Sequence, residues 1–81
     1  MKTVNAGALL AAGLALTDLG VSDLWLRYFA LGGGYPQQKL QAYLTGAGAW
    51  SAHEHDVAAH ALNEYFVDHG MDHPMSYSDD L

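Results

Sequence analysis

The sequence contains no cysteine and only three Lys or Arg residues in 81 positions. Without cysteine, no disulfide can brace the fold and no thiol can act as a nucleophile. The shortage of cations disfavours direct binding to nucleic acid or to an anionic membrane surface, because both present phosphate groups. The sequence also lacks an apolar run of ~20 residues, the length that a membrane-spanning helix needs. We therefore expect neither nucleic acid nor a membrane as the partner.

The charges that are present lie unevenly along the chain. The formal net charge is −6, from three cations and nine acidic residues. All three cations precede residue 54, whereas seven of the nine acidic residues lie from Glu54 onward with no Lys or Arg among them. The five histidines lie between residues 53 and 73, in the same C-terminal third of the chain. Such a surface suits a basic protein partner or a cation better than it suits an anion.

The spacing of apolar residues predicts an all-α fold, a compact bundle of three core helices with an apolar N-terminal fourth helix. The core helices are expected at residues 23–31, 36–45 and 51–69. Ser22 is the predicted N-cap of the first, and Ser51 with Glu54 forms a predicted capping box for the last, which Gly70 ends. Residues 1–70 are predicted to form a single helical domain, and residues 71–81 an acidic C-terminal tail.

The apolar run from Ala6 to Leu16 has two interpretations. With Lys2 ahead of it, the run resembles the core of a signal peptide, although it lacks a convincing small-x-small cleavage site. The simpler interpretation is a helix that is apolar nearly all round and is buried in the fold or against another subunit. The second interpretation predicts a homo-oligomer, with Leu9, Leu10 and Leu14 as its contact residues.

A row of potential metal ligands follows the last predicted helix. His53, Asp56, His60 and Glu64 are expected within about 80° of one another on the helical wheel, beside the apolar face. Imidazole and carboxylate can share zinc, and two copies of the row at a symmetric interface would supply four ligands. The alternative is a solvated polar flank, since no His-Glu-x-x-His motif is present. Histidines among carboxylates are also compatible with a response to pH.

Aromatic residues are numerous for so short a chain, and most are expected in the core. Tyr35 and Trp50 are the two that we predict at a binding surface, where aromatic side chains contribute much of the binding energy. Tyr35 precedes a proline in a glycine-rich connection, and Trp50 precedes the capping box. Both therefore lie in loops rather than on the predicted core faces.

DNA binding and catalysis are two further functions on which the sequence bears. The two short helices joined by residues 32–36 are compatible with a helix-turn-helix DNA regulator, in which Gln37, Gln38, Lys39 and Gln41 would face the major groove. The shortage of cations disfavours it. For enzymatic activity the sequence offers no activated nucleophile, because Ser22 and Ser51 are assigned as helix caps, and we expect no catalysis.

Three segments, residues 24–33, 41–44 and 55–64, carry a resemblance to known proteins. They read LWLRYFALGG, QAYL and HDVAAHALNE. Across residues 22–69 the chain resembles a group of short, functionally uncharacterised actinobacterial proteins. The resemblance implies a cytoplasmic bacterial protein and carries no residue roles with it.

Taken together, the sequence favours a non-catalytic protein–protein interaction module, regulatory or scaffolding, that associates with itself. No cofactor is expected under this interpretation. The alternatives are a metal-binding helical protein that holds zinc on its His and carboxylate row, and a small DNA-associated regulator of the helix-turn-helix kind.

Overall fold

The computed structural model describes residues 6–70, and these residues form four α-helices. They are α1 (Ala6–Ala15), α2 (Val21–Ala30), α3 (Gln37–Leu44) and α4 (Ala52–Asp68). No strand occurs within this described range. The predicted all-α bundle with an apolar N-terminal helix is therefore confirmed. The predicted tail at residues 71–81 lies outside the described residues.

The helices pack so that α1 and α2 each contact both α3 and α4. The core between them is built from side chains of all four helices, among them the fully buried Leu10, Leu24, Leu40, Leu62 and Phe66. The N-terminal helix is thus a full member of the bundle. None of the helices in the described range is long and apolar enough to cross a membrane.

Close approach of α1 to α3 depends on a glycine. A Cβ atom built on Gly7 would lie 1.9 Å from the backbone carbonyl oxygen of Tyr43. No side chain fits into that distance, so the hydrogen of Gly7 lets the two backbones touch. One turn later Leu10 enters the core, where it is fully buried.

Helix α2 begins two residues earlier than predicted, at Val21 instead of Asp23. Its N-cap is Gly20, whose backbone N–H donates to the carboxylate of Asp23 at 3.0 Å. The prediction that Ser22 caps this helix is wrong, since Ser22 lies inside the first turn. Its hydroxyl instead accepts a hydrogen bond of 2.8 Å from the side-chain amide of Gln37 on α3.

Helix α4 has the predicted ends but a different buried face. The Ser51 hydroxyl accepts from the Glu54 N–H at 3.2 Å, and Gly70 has the positive φ of 77° expected after a helix. The reciprocal half of the predicted capping box does not form, because the Glu54 carboxylate accepts hydrogen bonds from Tyr28 and Gly34 instead. The buried face, however, includes His55 and Asn63. The helix is therefore rotated relative to the apolar stripe that the sequence predicts.

Replacing Gly7 by alanine tests the contact between α1 and α3. At an open helix position this change stabilises a protein by up to ~1 kcal/mol, because alanine is the better helix former. Here the added methyl group must push the helices apart, so we expect a loss of about 1–3 kcal/mol in the free energy of unfolding, measured with urea. Gly20→Ala is the control, since its Cβ would make only an ordinary contact of 3.7 Å. Stabilisation by Gly7→Ala would contradict the packing.

Candidate interaction surface

The outer face of α2 exposes large apolar side chains. Leu24 and Tyr28 point inward and are fully buried, whereas Leu26 and Phe29 are 58% and 57% exposed. Leu31, just after the helix, is 38% exposed. We call Leu26, Phe29 and the intervening surface of the helix the α2 outer face. It combines an aromatic and an aliphatic side chain next to each other in solvent.

Phe29 is held in place although it is exposed. Its ring stacks on Trp25 with centroids 5.1 Å apart and planes 19° from parallel. Trp25 is in turn fixed by its indole N–H, which donates to the carbonyl oxygen of Tyr35 at 2.9 Å. The exposed phenyl ring therefore lies on a support that is already ordered.

The orientation of α2 is set by the hydroxyl group of Tyr28. This hydroxyl donates to the carboxylate of Glu54 at the start of α4. It also accepts from the backbone N–H groups of Gly34 and Tyr35, at 3.1 and 2.9 Å. The same Glu54 carboxylate accepts from the Gly34 N–H at 3.0 Å. One buried phenol thus joins α2, the loop after it and the first turn of α4.

A glycine makes room for this phenol. A Cβ atom on Gly33 would come within 2.3 Å of the Tyr28 ring. Gly33 is buried and has no positive φ, so its role is to let the loop lie against the ring. The preceding Gly32 does have a positive φ, 102°, and turns the chain there.

The pKa values of Tyr28 and Glu54 both differ from the ordinary values of these side chains. Burial, together with the hydrogen bond to Glu54, raises the pKa of Tyr28 from 10.0 to about 12. Burial alone raises the pKa of Glu54, but hydrogen bonds from Gly34 and Tyr28, with nearby His53 and Lys39, outweigh it. The net pKa of Glu54 is below 4.5. The pair is therefore a neutral phenol and a carboxylate at neutral pH.

The two aromatic residues predicted at a binding surface lie in an internal aromatic cluster. Trp50 stacks on Tyr43 with centroids 4.5 Å apart and meets the edge of Tyr35 at 5.0 Å. The Lys39 ammonium lies 3.9 Å from the centroid of the Tyr35 ring. Tyr35 and Trp50 are only partly buried, but these contacts already use their ring faces. The indole N–H of Trp50 is buried with no hydrogen-bond partner in the described part of the chain.

The three leucines predicted as contact residues on α1 have different environments. Leu10 is fully buried in the core, so its expected role in contacting a partner is wrong. Leu14 is partly buried against the same core. Leu9 is 38% exposed and is the member of this set that can reach another molecule. Helix α1 packs against α3 and α4 through its buried residues Gly7, Leu10 and Gly13, and its other side remains exposed.

The predicted metal ligands lie on the side of α4 away from the core, not beside the buried face. His53, His60 and Glu64 are exposed, and His60 Nε2 lies 3.3 Å from Glu64 Oε2. Over residues 6–70, no three His, Asp or Glu side chains come close enough to hold a metal ion. A zinc site would thus need ligands from outside the described residues, and zinc binding stays a prediction.

An open groove of about 480 Å³ runs along this part of the surface. It is lined by Leu31 from the end of α2 and by His53, Asp56, Val57 and His60 from α4. Its wall combines two apolar side chains with a polar rim.

A buried histidine escaped the sequence prediction. His55 is 3% exposed, and its Nδ1 lies 2.9 Å from the Tyr43 hydroxyl. The apolar residues of α4 alone gave no signal for the burial of His55, since its partner lies on another helix.

The α2 outer face was also missed by the sequence prediction. Its signal was present, because apolar residues cover more than half of that helix and two neighbouring helices cannot bury them all.

The residues predicted to read DNA are partly engaged within the fold. Gln37 donates to Ser22, and Lys39 lies over the Tyr35 ring. Gln38 and Gln41 remain exposed on α3.

Comparison with protein-family models, curated proteins and solved structures finds no match to this chain. The actinobacterial resemblance and the cytoplasmic location that it implies therefore stay predictions.

The partly exposed carboxylate of Glu54 predicts how acid changes stability. Since the pKa of Glu54 is lowered in the folded chain, its contribution is present above the unfolded value of 4.5 and is lost as pH falls through the folded value. The free energy of unfolding of Glu54→Gln should lack this component. The difference between the wild-type chain and this variant should therefore shrink as the pH is lowered from about 6 to about 3.

The control for this prediction removes the phenol instead. In a Tyr28→Phe background Glu54 loses one of the hydrogen bonds that lower its pKa, so the Gln substitution should have a weaker dependence on pH. Urea unfolding followed by circular dichroism measures all four chains. A difference between wild type and Glu54→Gln that is constant with pH would refute this role for the carboxylate.

Proposed function

We propose that this chain is a non-catalytic protein–protein interaction module, of a regulatory or scaffolding kind, that associates with itself through the α2 outer face. The observation that carries the proposal is the exposure of Leu26 and Phe29, each more than half accessible on one helix face. Covering each of them in a contact would contribute on the order of 1 kcal/mol through the hydrophobic effect. Adjacent exposed apolar side chains are typical of interaction sites.

The order of the aromatic pair also supports the proposal. Association costs free energy when flexible side chains become fixed. Phe29 already stacks on Trp25, and the indole of Trp25 is already bonded to the loop. An aromatic anchor that is ordered before binding loses little entropy, which favours a binding role over an incidental exposure.

The pairs that resemble acid–base machinery serve the fold instead. Tyr28 with Glu54 and Tyr43 with His55 are the closest such pairs in the described residues. Each joins two helices through the interior rather than facing a cleft. A structural use of these pairs is what we expect of a module that binds and does not catalyse.

Polar substitution on the α2 outer face tests the proposal. The weight-average mass of the wild-type chain in sedimentation equilibrium should rise above 8.7 kDa with increasing concentration. Phe29→Gln and Leu26→Gln should each weaken this association by about tenfold or more, because each removes one apolar anchor.

The matched control is Leu16→Gln in the turn just after α1, where the native side chain is 70% exposed. It makes the same chemical change away from α2 and should associate like the wild type. Circular dichroism spectra and melting curves check that all variants fold. A wild-type chain that stays monomeric at every concentration, or a stronger effect of Leu16→Gln than of Phe29→Gln, would rule the proposal out.

A further inference from the structure

We infer that the α2 outer face pairs with the same face of a second copy, with the two α2 helices antiparallel about a two-fold axis. This inference rests on the proposed function and adds to it the partner geometry and the residues that select it. It starts from the placement of side chains around α2. At about 100° per residue, Ser22, Leu26, Phe29 and Ala30 share an arc of about 100°, and all four are exposed.

Shape favours the antiparallel register. With the two-fold axis near Leu26, the small Ser22 of one copy lies opposite the large Phe29 of the other. The two Leu26 side chains then meet near the axis. Large against small at both ends lets two copies of one surface fit together, as an isologous contact requires.

Charge selects the same arrangement. Asp23 and Arg27 are both exposed and lie on one flank of this arc, about 40° apart. In an antiparallel pair each flank meets the same flank of the other copy. Asp23 therefore faces the second copy's Arg27, and the contact repeats across the axis. A parallel pair would instead place this flank against the opposite flank of the second copy, where α2 has no charged residue, so Asp23 and Arg27 would gain no charged partner. The opposed helix dipoles add to this preference.

The charge of the rest of the chain directs copies to α2. Helix α4 carries Glu54, Asp56, Glu64 and Asp68 with no Lys or Arg, so two α4 surfaces repel. Helix α2 carries one acidic residue and one cation, Asp23 and Arg27, and is neutral overall. Val67 on α4 is also 47% exposed, but it lies within the acidic surface. The α2 outer face is thus an apolar surface that a second acidic copy can approach without charge repulsion from the helix itself.

The expected dimer is weak. Helix α2 has ten residues, so its outer face is small, and contacts under ~1,200 Å² belong to weak or transient complexes. Two Asp–Arg pairs at the rim add modest attraction, which salt screens. Salt acts on this dimer in two opposing ways, because it screens the two Asp–Arg pairs and also screens the repulsion between copies of net charge −6.

Charge reversal in mixtures tests the geometry. Asp23→Arg and Arg27→Asp each turn two attractive contacts into two repulsive ones, so each variant alone should dimerise about tenfold more weakly than wild type. An equimolar mixture of the two variants restores both contacts, because one copy then carries only cations on the flank and the other only carboxylates. Sedimentation and native mass spectrometry should show the heterodimer in preference to either homodimer.

The mixture separates pairing from folding. Asp23→Arg removes the carboxylate that bonds the Gly20 N–H, and Arg27→Asp removes the guanidinium that lies 5.6 Å from the centroid of the Tyr65 ring, so each variant also loses some stability. That loss is the same in the pure and the mixed samples, and only the pairing differs. Homodimers that form as well as the heterodimer would overturn the antiparallel geometry. So would single variants that match wild type, which is the result expected of parallel helices. In either case, loss of association in Phe29→Gln would still uphold the proposed function.

Discussion

The hydroxyl group of Tyr28 is the point on which the arrangement of this fold depends. It connects α2 to Glu54 on α4 and to the backbone of the glycine loop, in the interior of a chain that has no disulfide. Because this phenol must point inward, the opposite side of α2 must point outward. The exposure of Leu26 and Phe29 is therefore a consequence of how α2 is anchored. The proposed interaction surface and the hydrogen bonds of Tyr28 thus lie on different sides of the same helix.

The size of the chain explains why apolar surface remains. Hydrophobic residues make up 51% of the sequence, yet a domain of about 80 residues buries only about 60–65% of the surface that its unfolded chain exposes. Helix α1 contributes to the core through Gly7, which lets it lie close to α3, and through Leu10, which is fully buried. Helix α2 has bulky residues on every side and packs against two neighbours, so part of its apolar surface stays in solvent. Self-association is the physically simplest way to cover it.

Local signals predicted the elements, and distant contacts decided their orientation. The cap at Ser51 and the positive φ at Gly70 follow from short sequence patterns, which is why the ends of α4 could be predicted. The outward direction of Phe29 could not be predicted, because apolar residues cover more than half of α2 and do not by themselves show which side faces the core. That side is set by the hydrogen bond of Tyr28 to Glu54, which lies 26 residues away in the sequence. Likewise, nothing next to His55 in the sequence indicates that a tyrosine on α3 meets its ring. Contacts of the same kind place Tyr35 and Trp50 in an aromatic cluster with Tyr43, where both remain partly exposed.

The most direct test of the α2 outer face is a dilution series of ¹⁵N-labelled chain followed through its backbone amide resonances. If copies meet through α2, the concentration-dependent shifts should be largest for residues 22–30 and small on the outer side of α4. The shifts should fit the same dissociation constant as the sedimentation data. Shifts confined to residues 6–16 would place the contact on α1 and contradict the account. So would a mass that rises with concentration while the resonances of α2 stay unchanged.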